Sequence, residues 1–137
     1  MLNIVDWFIS LLSQASPMRI LFVCVGNTCR SQMAQAAASH MGYEAESAGT
    51  RPGRAIAAKA IKVTSDLGIG MEGQYPKSVD EIDTTGFDRI ISMGCGVECP
   101  NLPIDEDWGL DDPVGEEEEI YHATLNDILR HIEVLDE

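Results

Sequence analysis

Positive charge is scarce in this 137-residue chain, which carries 9 Lys and Arg against 23 Asp and Glu. Residues 90–137 hold Arg130 alone against fourteen acids. A formal net charge of −14 repels nucleic-acid phosphates and anionic membranes, so neither is an expected partner. Any anionic ligand must then be held by a strong local site. Long apolar runs are also lacking. Residues 1–17 are interrupted by Asp6 and preceded by no Lys or Arg, unlike a secretory leader, and are shorter than the roughly 20 apolar residues a membrane helix needs. An unprocessed, cytoplasmic chain is expected. Gly and Pro, at 12 and 6 residues, are too few for a fibrous or low-complexity chain, and no internal repeat is present. Four cysteines do not suggest a disulfide-stapled scaffold, because a domain of this length buries enough core to be stable without one. Reactive, redox or metal roles for them follow.

What remains reads as one domain of alternating strands and helices. Residues 1–14 place Leu2, Val5, Phe8, Ile9 and Leu12 opposite Asn3, Asp6, Ser10 and Ser13, the pattern of an amphipathic helix that Pro17 ends. Residues 1–17 are therefore set apart as an accessory helix, packed on the domain or another chain; a membrane-surface anchor is disfavoured by the lack of Lys and Arg on its polar face. The run Met18–Cys24 reads as a buried central strand. Ser31–Met41 is an Ala-rich helix ended by Gly42, Tyr43–Ala48 a second strand, and Ala55–Leu67 a helix closed by Gly68. Residues 78–84 read as one helical turn, Phe87–Met93 as a third strand, Leu102–Ile104 as a short fourth, and Glu116–Leu135 as a final helix with a Glu run at its positive N-terminus. This β-α-β-α order predicts an α/β three-layer sandwich over residues 18–137, with a parallel sheet of about four strands that binds ligands at the strands' carboxyl ends.

Reactive groups concentrate in Cys24-Val25-Gly26-Asn27-Thr28-Cys29-Arg30-Ser31. A cysteine at the end of a buried strand, followed by a short loop and a helix start, faces converging backbone N–H groups and the helix dipole. Such a setting favours the thiolate, the nucleophilic form. Gly26 permits close approach of the backbone to an anion, and Asn27 tolerates unusual backbone angles. Arg30 offers a planar fork that matches two oxygens of a tetrahedral oxyanion, and the Ser31 hydroxyl is placed to donate to the Cys24 sulfur. The loop from Val25 to Ser31 thus binds an oxyanion while Cys24 attacks it from below.

Residues 18–35, and Cys24-x-Gly-Asn-x-Cys29-Arg30-Ser31-Gln32-Met33-Ala34 in particular, resemble the active-site loop of the low-molecular-weight protein tyrosine phosphatase fold, and most closely its thioredoxin-coupled arsenate reductase branch. The resemblance runs from Met18 to the C-terminus. Trp108-Gly109-Leu110-Asp111-Asp112-Pro113 is similar to the family's acid-bearing loop, which implies that Asp112 protonates the departing oxygen. Phosphatase members carry a tyrosine after Asp-Pro, where this chain has Val114-Gly115. Cys95-Gly96-Val97-Glu98-Cys99-Pro100 falls where the reductases carry resolving thiols. The resemblance therefore implies that Cys24 attacks arsenic, Cys95 then attacks the Cys24 sulfur, and Cys99 resolves the disulfide, with thioredoxin or another thiol reductant restoring the enzyme. Only three residues separate Cys95 from Cys99, which leaves their order of attack open. Some members bind potassium through an acidic residue on the helix after the loop; the matching position is Gln35, so little potassium activation is expected.

Other readings of these residues remain. Cys24, Cys29, Cys95 and Cys99 have a spacing compatible with structural zinc, although zinc gives Arg30 and Asp112 no role; no metal and no cofactor are expected. Cys29 has a further use as a reversible disulfide partner that protects Cys24. His40, His122 and His131 show no mutual ligand spacing. Arsenate reductase, with phosphate or sulfate as substrate analogues, is preferred over a protein tyrosine phosphatase and over a non-catalytic oxyanion-binding or redox-sensing module.

Overall fold

The apolar run after Met18 forms β1, Arg19–Cys24, with its last five residues buried. In the computed structural model, which describes residues 17–94 and 102–135, β1 lies inside a four-stranded sheet of order β2-β1-β3-β4. Its neighbours are β2 (Glu44–Gly49) and β3 (Arg89–Ser92), with β4 (Glu106–Asp107) at the edge. All pairs are parallel; Ile20 lies between Ala45 and Arg89, and Cys24 opposite Gly49 at the carboxyl end.

Successive β1 side chains point to opposite faces. Ile20, Phe22 and Cys24 enter the larger core, which gathers Met33 from α1 (Arg30–His40), Val63 from α2 (Ala58–Asp66), and Tyr121, Leu125 and Ile128 from α3 (Glu118–Glu133). Leu21 and Val23 enter a smaller cluster with Ala48 and Ile90, covered by Val79, Ile82, Phe87, Leu102 and Ile104. Two 3-10 turns, Val79–Glu81 and Thr84–Gly86, supply part of that cover. In the first, the Ser78 hydroxyl accepts from the Asp80 N–H and the Glu81 carboxylate from the Ser78 N–H, a reciprocal cap. The result is the expected α/β arrangement in three layers, with unequal layers on the two faces of the sheet. Alanines 34, 36, 37 and 38 let α1 lie close against β1, β2 and α3, and they leave it buried along most of its length.

Three boundaries differ from the sequence expectation. Leu102–Ile104 is not a strand: it is a loop closed by Ile104 N–H donating to Leu102 O, its apolar side chains packing on the smaller core. Pairing with β3 starts only at Asp105, whose N–H donates to Ile90 O and whose carboxylate accepts from Ile90 N–H. The fourth strand is therefore Glu106–Asp107, two polar residues fixed by their partner rather than by their own propensity. Helix α2 begins at Ala58, not Ala55, because residues 51–57 bond to the loop that follows β1: Arg51 N–H to Val25 O, Gly53 N–H to Gly26 O and Ala57 N–H to Thr28 O. Helix α3 begins at Glu118 because Glu116 N–H closes a turn onto Pro113 O. The helix expected within residues 1–17, and the thiols Cys95 and Cys99, lie outside the described residues. No helix among the described residues is long and apolar enough to cross a membrane.

Candidate active site

The connection from β1 to α1 carries Cys24 through Arg30 and continues into the first turn of the helix. It turns at Asn27, the one described residue other than glycine with positive φ, at 53°. Asparagine tolerates this left-handed region through its short polar side chain. Asn27 is wholly buried, and each of its polar groups has a task. Its N–H donates to Cys24 Sγ at 3.1 Å and its Nδ2 to Ser31 Oγ at 2.7 Å. Ser31 Oγ in turn lies 2.8 Å from Cys24 Sγ, in a hydrogen bond that either group can donate. A backbone N–H and a hydroxyl group thus meet at one buried sulfur.

Arg30 is 8 % exposed and fixed by main-chain acceptors, its Nη1 donating to Leu110 O at 2.8 Å and Met93 O at 3.2 Å. Its Nη2 lies 3.8 Å from Asp112 Oδ2. Its Nε is buried and finds no partner among the described residues, so one fork of the guanidinium remains for an acceptor not supplied by those residues.

The loop after β4 brings in Asp112. Trp108 N–H donates to Ser92 O and Leu110 N–H to Met93 O, extending the β3 register into this loop. The Trp108 ring packs 5.5 Å from Phe22 and stacks on His131 at 4.6 Å. Asp112 Oδ1 accepts from Val114 N–H at 3.0 Å and from the Cys29 thiol at 3.5 Å. Burial, and then the Asp112 charge beside it, push the Cys29 thiol up to about 12. Burial raises Tyr121 on α3 as well, followed by the charges of Cys29 and Asp112. Asp111 is exposed. The structure therefore gathers Cys24, Asn27, Cys29, Arg30, Ser31 and Asp112 at the carboxyl ends of β1 and β3, while Val25, Gly26 and Thr28 complete the loop.

Several supporting residues have no signal in the loop's own sequence. Gln32 Nε2 donates to Asn27 O at 3.0 Å, Gln74 Nε2 to Gln32 Oε1 at 2.8 Å, and Lys77 N–H to Asn27 Oδ1 at 3.0 Å, so residues 74–77 brace the loop from outside. Gly49 is required by close approach: a Cβ there would sit 2.5 Å from Val25 O and 3.0 Å from Asn27 Cβ. The small residues Ser47-Ala48-Gly49 at the end of the second strand were the only trace of it. Gln35 is engaged by Ser47, whose hydroxyl donates to its Oε1 at 2.6 Å. His40 is exposed. His122, for which the sequence offered no partner, meets Asp66 and Glu118, with ligand atoms within 4.8 Å. Lys62 Nζ already stands there, 2.6 Å from Glu118 and 3.2 Å from Asp66, and those two carboxylates raise its ammonium above the ordinary range.

A buried cysteine below a buried arginine, on a loop between a parallel strand and a helix, defines a class of oxyanion-handling thiol proteins. The chain belongs to the low molecular weight phosphotyrosine protein phosphatase family, whose model matches residues 19–136. Among curated relatives it is 32% identical to a glutaredoxin arsenate reductase of Synechocystis over 125 residues, covering 85% of this chain and 95% of that protein. Among solved structures it is similar to an arsenate reductase in the phosphate binding state, at TM-score 0.79 and 32% identity over 86% of this chain and 95% of the other. It is also similar to a low molecular weight protein tyrosine phosphatase from T. tengcongensis, at TM-score 0.72 and 29% identity over 85% of this chain and 95% of the other.

Proposed function

We propose that the chain is an arsenate reductase. One observation carries the reading: Cys24 Sγ, receiving Asn27 N–H and Ser31 Oγ, shares its loop with a buried Arg30 whose Nε has no partner among the described residues. An oxyanion such as arsenate satisfies that donor while presenting its central atom to the sulfur. The relatives support the choice of oxyanion, since those of about 32% identity are arsenate reductases, and one solved neighbour is described in a phosphate binding state.

In the proposed reaction the Cys24 thiolate forms a sulfur–arsenic bond as one arsenate oxygen departs, protonated by Asp112, as water. Cys95 then attacks the Cys24 sulfur. The sulfur–arsenic bond breaks with its electron pair left on arsenic, so arsenic is reduced by two electrons and the two sulfurs are oxidised to a disulfide. Cys99 attacks Cys95, frees Cys24 as thiolate and leaves Cys95–Cys99, which an external dithiol reduces by exchange. The reductant is a thioredoxin- or glutaredoxin-like thiol, and the cycle belongs in the reducing cytoplasm.

The test is arsenite release with peptide mapping of alkylated protein. Cys24→Ser releases no arsenite. Cys99→Ser stalls after one arsenite per enzyme with Cys24 joined to Cys95, and Cys95→Ser releases little. Cys24 joined to Cys99 in the Cys95→Ser protein, with normal release, reverses the order of attack. Full multiple turnover after both substitutions rejects the dithiol cascade. Arsenate binding without turnover in excess reductant makes the chain a binding module, and aryl phosphate hydrolysis without arsenite makes it a phosphatase.

A further inference from the structure

We infer that Cys29 is a positioning residue for the acid: its S–H tethers the Asp112 carboxylate to the catalytic loop and leaves the carboxylate's other oxygen directed toward Arg30. This rests on the reading of Asp112 as the proton donor. Asp112 stands on a loop tip with its side chain about half exposed, so something must hold it over the oxyanion site. Three contacts are candidates. Val114 N–H reaches Oδ1 at 3.0 Å but belongs to the same loop, so it orients the carboxylate without fixing the loop's position. Arg30 Nη2 stands 3.8 Å from Oδ2, and this guanidinium is the group that a bound oxyanion engages. The Cys29 thiol crosses from the catalytic loop to Oδ1 at 3.5 Å, within the longer range of sulfur donors, and it is 3 % exposed. Once an oxyanion takes Arg30, Cys29 is the tether that stays.

A thiol suits this task. A second cation there would hold Asp112 ionised even after an oxyanion engages Arg30, and so oppose the protonation that an acid catalyst needs. Cys29, raised to about 12, stays a neutral donor throughout the neutral range. Both donors converge on Oδ1, so the proton to be transferred is carried on Oδ2, on the side of Arg30. Oxidation is not part of this role, and a hydroxyl serves in place of the thiol.

The experiment is first-turnover arsenite release at saturating arsenate by the full-length reduced protein, in which later thiol exchange with the reductant does not limit the rate. Cys29→Ala should slow release about tenfold with arsenate affinity within about twofold of wild type, and Cys29→Ser should recover most of the loss. In the Asp112→Asn background, Cys29→Ala should add no further slowing, as for two residues acting through one group. A second measurement does not depend on Cys29 variants folding. Asp112→Asn removes the neighbouring charge and leaves only a neutral amide acceptor, so alkylation of Cys29 should rise severalfold. The inference is overturned if folded Cys29→Ala keeps the wild-type rate while Asp112→Asn is slow, if the two losses multiply, if Cys29→Ser is as slow as Cys29→Ala, or if Cys29 alkylation is unchanged in Asp112→Asn. An Asp112→Asn protein of wild-type rate removes the acid reading itself, and this inference with it.

Discussion

Gly49→Ala places one methyl group where the end of β2 meets the catalytic loop. The new Cβ would stand 2.5 Å from Val25 O and 3.1 Å from Asn27 N, both main-chain atoms. An ordinary contact needs about 3.5 Å, so the loop must retreat by roughly 1 Å. It cannot do so freely, because Thr50 N–H and Arg51 N–H, just after Gly49, bond to Cys24 O and Val25 O. Overpacking of this kind costs about 1–3 kcal/mol, which lowers the melting temperature of a domain this size by roughly 3–10 °C. The functional loss should be larger in proportion, since a misplacement of about 1 Å at a reacting group costs about 10²-fold in rate. The assays are a thermal melt, and phosphate protection of Cys24 against iodoacetate, which reads oxyanion affinity without any redox step. Gly53→Ala is the internal comparison: its Cβ meets a side-chain methyl, Thr28 Cγ2, at 2.7 Å, which can rotate away. Wild-type phosphate protection in folded Gly49→Ala, or equal losses in the two variants, would refute the argument that the β2 end sets the loop's position.

Asp112→Asn should slow the first turnover by about 10²–10⁴ whereas Asp111→Asn stays near wild type; the opposite result in stopped-flow traces would put the loop register off by one. Cys29 is raised in the folded state from its ordinary value near 9 to about 12, so the folded form keeps a proton that the unfolded form has lost. Its contribution is complete below about pH 9 and is lost as pH rises from there toward 12. Denaturant titrations should therefore show wild type losing more stability than Cys29→Ala across that window, and parallel curves would contradict the assignment. Because Gln35 is neutral and bonded to Ser47, turnover should be equal in potassium and sodium chloride at matched ionic strength, and a large preference for potassium would show that other oxygen atoms near the loop suffice. With a net charge of −14, raising either salt should increase the melting temperature by relieving self-repulsion.

The catalytic loop was legible in the sequence because its parts are local: a strand end, a left-handed turn residue and a helix start follow one another within eight positions from Cys24 to Ser31. The central strand was legible for the same reason, as burial on both faces leaves a continuous apolar run. Helix α2 starts later than its composition implies because Ala55, Ile56 and Ala57, good helix formers, belong to a segment that bonds instead to a loop some thirty residues earlier. The edge strand was misplaced because Glu106 and Asp107 have no strand propensity of their own and are ordered by β3. The brace of Gln74 on Gln32 and of Lys77 on Asn27, and the need for glycine at 49, arise from contacts between segments far apart in the chain. No local pattern announces them.

Arg30 is gripped by carbonyls of Met93 and Leu110, which are made long after it during synthesis. At about 5–20 residues per second on the ribosome, several seconds pass between the appearance of Cys24 and the arrival of Leu110. Until that interval ends the nascent polypeptide carries the arginine without its full set of main-chain acceptors. Arg30 is therefore fully seated only late in translation, and a chain released before residue 110 would carry the whole signature loop without the shorter of its two main-chain contacts.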